Sequence, residues 1–331
     1  MIAIIGAGAW GTTMAKVVAD AGSDVVVWGR DPAVVREINE KHTNEAYAPG
    51  LALPERVTAS DDLPATLRES STLIVALPSQ VVRETLAGVA DQVREDSVVV
   101  SLMKGIELGT DKRMGEVLTE VLGLPPERFV VLSGPNLSRE IAAGQPAASV
   151  LACTDIERAR SVARLVATSY FRPYVTDDVI GVELAGAVKN VIALAVGMAA
   201  GKGYGDNTTA TLITRGLAEI TRLALALGGE RETMAGLAGM GDLVATCASR
   251  LSRNHRLGRH IGEGMGFEEA LVATGGTAEG AKSCRSVAHL AESLGVDMPI
   301  TRAVVAVLYG GISVDEMTRM LLSRPRKDER D

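Results

Sequence analysis

Two stretches of this chain combine residue types and spacings that chemistry can use. The first is Gly6-Ala7-Gly8-Ala9-Trp10-Gly11, which directly follows the apolar run Ile2-Ala3-Ile4-Ile5 and opens a helix-like segment. In such a G-x-G-x-x-G turn, Gly6 permits the tight bend, Gly8 lets backbone approach a pyrophosphate, and Gly11 lets helix pack on strand. The helix start adds unpaired N–H groups and positive dipole density aimed at phosphates. A dinucleotide is therefore the expected ligand. The next apolar run, Asp24-Val-Val-Val-Trp28, leads into Gly29-Arg30-Asp31, where an acid would take a ribose diol and an arginine a 2′-phosphate. Arg30 favours NADPH, with NADH still admitted; the alternative is that Asp31 caps a helix starting at Pro32 and Arg30 is a solvated charge. The second stretch is an apolar run over 179–200 that carries Glu183 near one end and Lys189-Asn190 at its centre. Hydrocarbon would penalise those groups by several kcal/mol, so a buried helix whose polar residues face a site is expected rather than a membrane span.

The elements that must position these residues follow from patterning. Short β-rich runs are expected at 2–5, 24–28, 72–77, 97–102, 129–132 and 148–152, with helices between them at 10–21, 33–41, 81–90 and 113–122. Alternation of this kind, with almost continuously apolar strands, predicts an α/β half built on a parallel sheet covered on both faces. After the segment ending in Thr176-Asp177-Asp178 the pattern turns helical. Ile213, Leu217, Ile220, Ala224 and Leu227 mark one apolar stripe. The expected organisation is a dinucleotide-binding domain over 1–176, an all-helical domain over 177–323 and a polar frayed tail over 324–331.

Composition narrows the function classes. The chain has 331 residues, enough for two domains, and a formal charge of −7 with only 3% aromatic residues. An acidic chain poor in aromatics is a poor nucleic-acid binder, so any anion site must be a local basic cluster. Cys153, Cys247 and Cys284 are far apart with no C-x-x-C pair and read as reduced thiols of a cytoplasmic protein. Met1 runs straight into apolar residues without a basic leader, so no secretory signal is expected. His42, His255, His260 and His289 show no metal-ligand spacing, and no metal site is expected.

Helix periodicity does not account for several other strings: Glu183-Leu-Ala-Gly-Ala-Val-Lys-Asn190, Gly205-Asp-Asn-Thr208 with Leu212-Ile-Thr-Arg-Gly216, Gly239-Met-Gly-Asp242 with Thr246, and Ser252-Arg-Asn-His-Arg256. Together with Gly6 to Gly11, Lys104-Gly105-Ile106-Glu107 and Ser133-Gly134-Pro135, they closely resemble the bacterial NAD(P)-dependent glycerol-3-phosphate dehydrogenases over nearly the whole chain. The resemblance implies a Rossmann-like doubly wound N-terminal domain, an all-α C-terminal domain, a site in the cleft between them and a homodimer. It implies reversible reduction of dihydroxyacetone phosphate to sn-glycerol 3-phosphate, supplying phospholipid synthesis. Lys189 matches the family's proton donor and acceptor, with Asn190 beside it. Lys104, Gly134, Asn136, Asp242, Thr246 and Ser252 match substrate-site positions, and Arg253-Asn254 match the pair holding the substrate phosphate. The cofactor set comprises Gly6, Gly8, Ala9, Trp10, Gly11, Arg30, Lys104, Ser138, Arg253, Thr277 and Glu279.

The chemistry fits these residue types. Hydride arriving at a ketone leaves negative charge on oxygen, which a lysine ammonium stabilises and then protonates. In the reverse direction the amine must accept a proton, which requires a pKa below its ordinary value of about 10.4. Lys104 would push that pKa down and Asp242 would pull it up; the residues alone leave the balance open. Arg253 offers a planar, permanently charged fork to a phosphate. Plainer roles exist for each: a snorkelling Lys189, Asp242 as a helix cap, Lys104, Arg253 and Arg256 as surface charges, Glu183 and Asp206 as helix-end acids. Three departures from the family pattern bear on affinity: Ala9 where serine is common, Asn136-Leu137-Ser138 after the Ser-Gly-Pro string, and Thr277 at a usually apolar position. Two alternatives stay open, a related dehydrogenase of another small hydroxy compound and a catalytically idle NADPH sensor.

Overall fold

The computed structural model describes residues 1–275 and 278–325. Eight strands form one sheet: β1 (Ile2–Ile5), β2 (Val25–Trp28), β3 (Val57–Ser60), β4 (Thr72–Val75), β5 (Val98–Ser101), β6 (Phe129–Ser133), β7 (Ala147–Ala152) and β8 (Phe171–Thr176). The sheet is interleaved with α1 (Ala9–Asp20), α2 (Pro32–Lys41), α3 (Leu63–Glu69), α4 (Val82–Ala87), α5 (Met114–Leu122), α6 (Ser138–Ala142) and α7 (Ile156–Val166). Beyond Thr176 the described chain is helical: α8 (Val179–Gly201), α9 (Asp206–Ala226), α10 (Arg231–Ala235), α11 (Asp242–Ala248), α12 (Arg253–Gly262), α13 (Phe267–Ala273), α14 (Glu279–Ser293), α15 (Pro299–Tyr309) and α16 (Val314–Leu322).

Strand order is β3-β2-β1-β4-β5-β6-β7-β8, so the chain changes direction across the sheet between β1 and β4. Open α/β sheets bind ligands at such a switch point, outside the carboxyl ends of the strands. Alternate strand residues feed opposite faces. Ile4, Val27, Ile74, Val100 and Val130 pack with Met14, Val17 and Val18 of α1, whereas Ile5, Trp28, Val75, Val99 and Val131 pack with Leu67, Leu86 and Leu118. Burial on both faces explains why these strands read as continuous apolar runs.

Three expectations need correction. The pairing of β6 with β7 is antiparallel, while all other neighbours are parallel. Only the one-turn α6 lies between β6 and β7, too short a helix to carry the chain back along the sheet for a parallel return. The edge strand β3 was not expected, because only Val57 of Val57-Thr-Ala-Ser60 is buried and an edge strand needs no apolar alternation on its open side. The stripe on α9 is also rotated: Leu212, Gly216, Glu219, Ile220, Leu223 and Ala224 are buried, while Ile213, Leu217 and Leu227 only flank the core. Glu219 belongs in that stripe because it caps α15, accepting from the N–H groups of Ile300 at 2.6 Å and Thr301 at 3.2 Å. At the other end of the helical half Arg324 pairs with Asp297, so the polar tail is anchored at its first residue; residues 326–331 lie outside the described part.

Helix α8 is buried from Gly181 to Ala199 and forms the axis of the helical half. It is the one described helix long and apolar enough to cross a membrane, and most of it is covered by the rest of the molecule. Its crossing with α12 is set by glycine. A Cβ on Gly197 would stand 2.1 Å from the His255 carbonyl oxygen, and one on Gly258 2.2 Å from that of Leu194. Gly201 and Gly262 meet the opposing backbone equally closely. Backbone therefore lies on backbone, and the first turn of α12 is brought to the middle of α8.

Candidate active site

At the carboxyl end of β1 the turn has the form a pyrophosphate needs. Gly6 has φ +123°, and a Cβ there would stand 2.8 Å from the Ala76 carbonyl oxygen. A Cβ on Gly11 would stand 2.0 Å from the Gly6 carbonyl oxygen, whereas beside Gly8 there is open space. Asn44 donates to the Ala7 carbonyl at 2.9 Å and to the Thr12 hydroxyl at 2.8 Å, tying the turn down from behind. The Trp10 indole N–H is buried without a partner, a donor available to a ligand at this turn. Ser138, first residue of α6, presents its carbonyl to the Thr13 hydroxyl at 3.5 Å, which brings α6 alongside α1. These residues fit a dinucleotide. Asp31 caps α2, its Oδ1 accepting from the Ala33 N–H at 2.8 Å. Arg30 is exposed at the end of β2. Thr277 lies outside the described residues; Glu279, opening α14, accepts from the Ser79 hydroxyl at 2.6 Å.

The lysine cluster forms where α8 crosses the same edge of the sheet. Lys189 projects from the middle of α8 and donates to the Thr246 hydroxyl at 2.6 Å and to Asp242 Oδ1. The other oxygen of Asp242 accepts from Lys104 Nζ at 2.6 Å. Lys104, in the loop after β5, also donates to the Gly134 carbonyl at 3.0 Å. One buried carboxylate thus holds two ammonium groups, one from each half of the molecule. Burial is the largest cause of a Lys189 pKa lowered to about 7; Asp242 opposes it, and the nearby Lys104 ammonium adds to it. Desolvation decides the balance that residue types left open.

Local backbone explains this convergence. Leu237–Gly241 forms a π turn, closed by the Gly241 N–H on the Gly236 carbonyl at 3.1 Å. The wide turn delivers Asp242 as the first residue of α11, with Thr246 one turn further on the same face. Gly239 has no room for a side chain, since a Cβ would stand 2.2 Å from the Met234 carbonyl oxygen. The N-cap of α11 is Gly241, so Asp242 is free of the capping role and turns to the lysines. Gly134 has φ +151°, a region closed to other residues, and its bend aims the carbonyl at Lys104.

The amides form a second cluster. Asn254 donates to the Asn190 side-chain oxygen at 3.0 Å and accepts from the Gly280 N–H at 2.9 Å. This joins α8, α12 and α14 next to Lys189. Ser252 caps α12 by accepting from the His255 N–H at 3.2 Å. Arg253, between Ser252 and Asn254, is exposed. Asn136 stands apart: its amide donates to the Ser149 hydroxyl at 3.0 Å, and its oxygen is buried without a partner. Residue types alone missed the π turn, Ser79, and the partner of Glu183, which is no helix-end acid but accepts from Arg113 at 2.5 Å.

This geometry agrees with known proteins. Residues 1–159 match the model for the NAD-dependent glycerol-3-phosphate dehydrogenase N-terminus, and residues 178–319 the model for its C-terminus. The chain is 54% identical over 330 residues to a glycerol-3-phosphate dehydrogenase [NAD(P)+] of Thermobifida fusca, covering 99% of this chain and 98% of that one. It is 52% identical to that of Corynebacterium diphtheriae over 99% of both chains. The crystal structure of glycerol-3-phosphate dehydrogenase from Coxiella burnetii superimposes with a TM-score of 0.93 at 37% identity, covering 98% of each chain. Two matched halves that account for nearly all of the sheet and the helices leave one conclusion: the chain belongs to the NAD-dependent glycerol-3-phosphate dehydrogenase family.

Proposed function

We propose that this protein reduces dihydroxyacetone phosphate reversibly to sn-glycerol 3-phosphate with NADPH, accepting NADH less well, and that Lys189 moves the proton. The reading rests chiefly on one observation: a buried amine held between a carboxylate and a hydroxyl at the ligand-binding edge of a dinucleotide fold, where burial lowers its pKa. The Gly6–Gly11 turn and Arg30 would hold the dinucleotide, whose nicotinamide would supply the hydride in one direction and accept it in the other. Lys189 donates a proton from Nζ to the oxygen that gains charge, and as the neutral amine it takes the proton back. Asp242 and Thr246 hold Nζ in place, while Lys104 adds a second positive charge beside the developing alkoxide. Arg253 grips the phosphate through its fork and turns the ketone toward the cofactor. Residues 1–176 serve as the cofactor-binding unit and 177–323 as the catalytic unit of a cytoplasmic homodimer that feeds glycerophospholipid synthesis.

The first test mixes the pure protein with NADPH and dihydroxyacetone phosphate and follows the absorbance of reduced nicotinamide. A steady loss is expected; a flat trace with NADPH bound would make the protein a sensor. Arg253→Ala is expected to raise the substrate KM roughly 30-fold, equivalent to about 2 kcal/mol of charge-assisted hydrogen bonding. Equal KM values of the parent enzyme for dihydroxyacetone phosphate and unphosphorylated dihydroxyacetone would remove that role. Arg30→Ala is expected to shift the NADPH-to-NADH KM ratio about tenfold toward NADH, from loss of about 1.4 kcal/mol. An unchanged ratio would mean that Arg30 does not read the 2′-phosphate.

A further inference from the structure

Glu183 lies on α8 six residues before Lys189, and its carboxyl group is buried. Both of its oxygens are occupied, and by the sheet half alone. One accepts from Arg113 at 2.5 Å, the other from the Gly115 N–H in the first turn of α5 at 2.6 Å. The fit leaves no slack, because a Cβ on Gly115 would stand 2.7 Å from the Phe129 ring and 3.0 Å from the Glu183 carboxylate. Arg113 ends the loop that Lys104 begins. That loop is therefore gripped by the helical half at both ends, by Asp242 on Lys104 and by Glu183 on Arg113. Between them the Ser286 hydroxyl donates to the Glu107 carbonyl at 3.2 Å.

We infer that Glu183 is a positioning residue: by clasping Arg113 and Gly115 it fixes how closely Lys104 approaches Lys189 across Asp242. This rests on the reading of Lys189 as the proton-transfer group. The groups facing Lys189 are Asp242 and Cys247 of α11 and Lys104 of the β5 loop; those facing Glu183 are Arg113 and Glu116. Releasing the clasp lets the loop carry Lys104 away and admits water. Both changes favour the protonated amine, so the pKa of Lys189 rises.

The test compares the pH dependence of kcat in the parent, Glu183→Gln and Lys189→Met, with NADPH affinity measured by its fluorescence. For Glu183→Gln the expected result is NADPH affinity close to the parent's, kcat lower by up to about a hundredfold through misplacement alone, and a Lys189 limb displaced to higher pH. A folded Glu183→Gln protein with an unmoved limb would overturn the inference, whatever its kcat, because a purely structural clasp changes stability and not the limb. The double variant Arg113→Met/Glu183→Met, which fills the buried space without charge, keeps the question open to test should the single variant not fold. It is expected to stay impaired in kcat with the limb displaced; recovery of the parent kcat and limb would also overturn the inference. Persistence of the limb in Lys189→Met counts against the Lys189 reading instead.

Discussion

Replacing Lys189 with methionine is expected to lower kcat about a thousandfold, within the range ascribed to a positioned general acid–base group, with NADPH affinity little changed. Methionine fills the space left by the lysine stem and packs adaptably in the apolar surroundings. Asp242 is not left as a lone buried charge, because its second oxygen keeps Lys104. An unpaired carboxylate in the interior would cost several kcal/mol and confuse a catalytic loss with an unfolded protein; the two-cation arrangement avoids this. Steady-state kinetics on the variant, with its folded state verified by circular dichroism, gives the answer. A variant retaining most of the parent turnover would remove Lys189 as the proton-transfer group.

Gly258→Ala is expected to be among the most damaging single-methyl changes in the helical half. At an exposed helical position this substitution ordinarily stabilises by up to about 1 kcal/mol. Here the new Cβ would lie 2.2 Å from the Leu194 carbonyl oxygen and 3.0 Å from the Met198 N–H nitrogen, both backbone atoms of a buried helix. Neither can swing aside as a side chain would, so α12 must move off α8. The usual cost of overfilling a core, about 1–3 kcal/mol, is then a lower bound. The movement would also separate Asn254 from Asn190, beside Lys189 on α8. Gly266→Ala is the matched control, since no atom lies within 4 Å of a Cβ built there. Urea unfolding of both variants should show a large loss of stability for Gly258→Ala and a small change for Gly266→Ala. Similar midpoints would mean that the helices tolerate separation and that the crossing does not set the site.

The sequence was most informative where one short segment carries both a geometry and its reason. The turn from Gly6 to Gly11 declares strand, bend and helix in six residues, and Lys189-Asn190 stands out against the apolar run around it. What stayed hidden depends on pairs of segments. Gly197 and Gly201 are spaced four apart, as are Gly258 and Gly262, yet neither pair signifies anything until α8 and α12 are known to cross. Glu183 resembles any acid near a helix start until the first turn of α5 and the Arg113 before it supply its partners. The π turn before Asp242 has no periodic signature, because its glycines read equally well as a loop, and only the backbone shows that Gly241 and not Asp242 is the N-cap of α11. Asp31 caps α2 as the plainer reading had it, while Arg30, on which the preference for NADPH rests, is exposed.

Pure enzyme assayed for kcat against pH in both directions tests most directly whether Lys189 carries the proton. Donation to the ketone oxygen needs the ammonium, so dihydroxyacetone phosphate reduction should fall as pH rises through the Lys189 pKa, lowered to about 7. Glycerol 3-phosphate oxidation needs the neutral amine and should fall as pH drops through the same region. Lys189→Met should abolish both limbs in its residual activity. The same limbs persisting unchanged in that variant would assign the proton to another group and contradict the account.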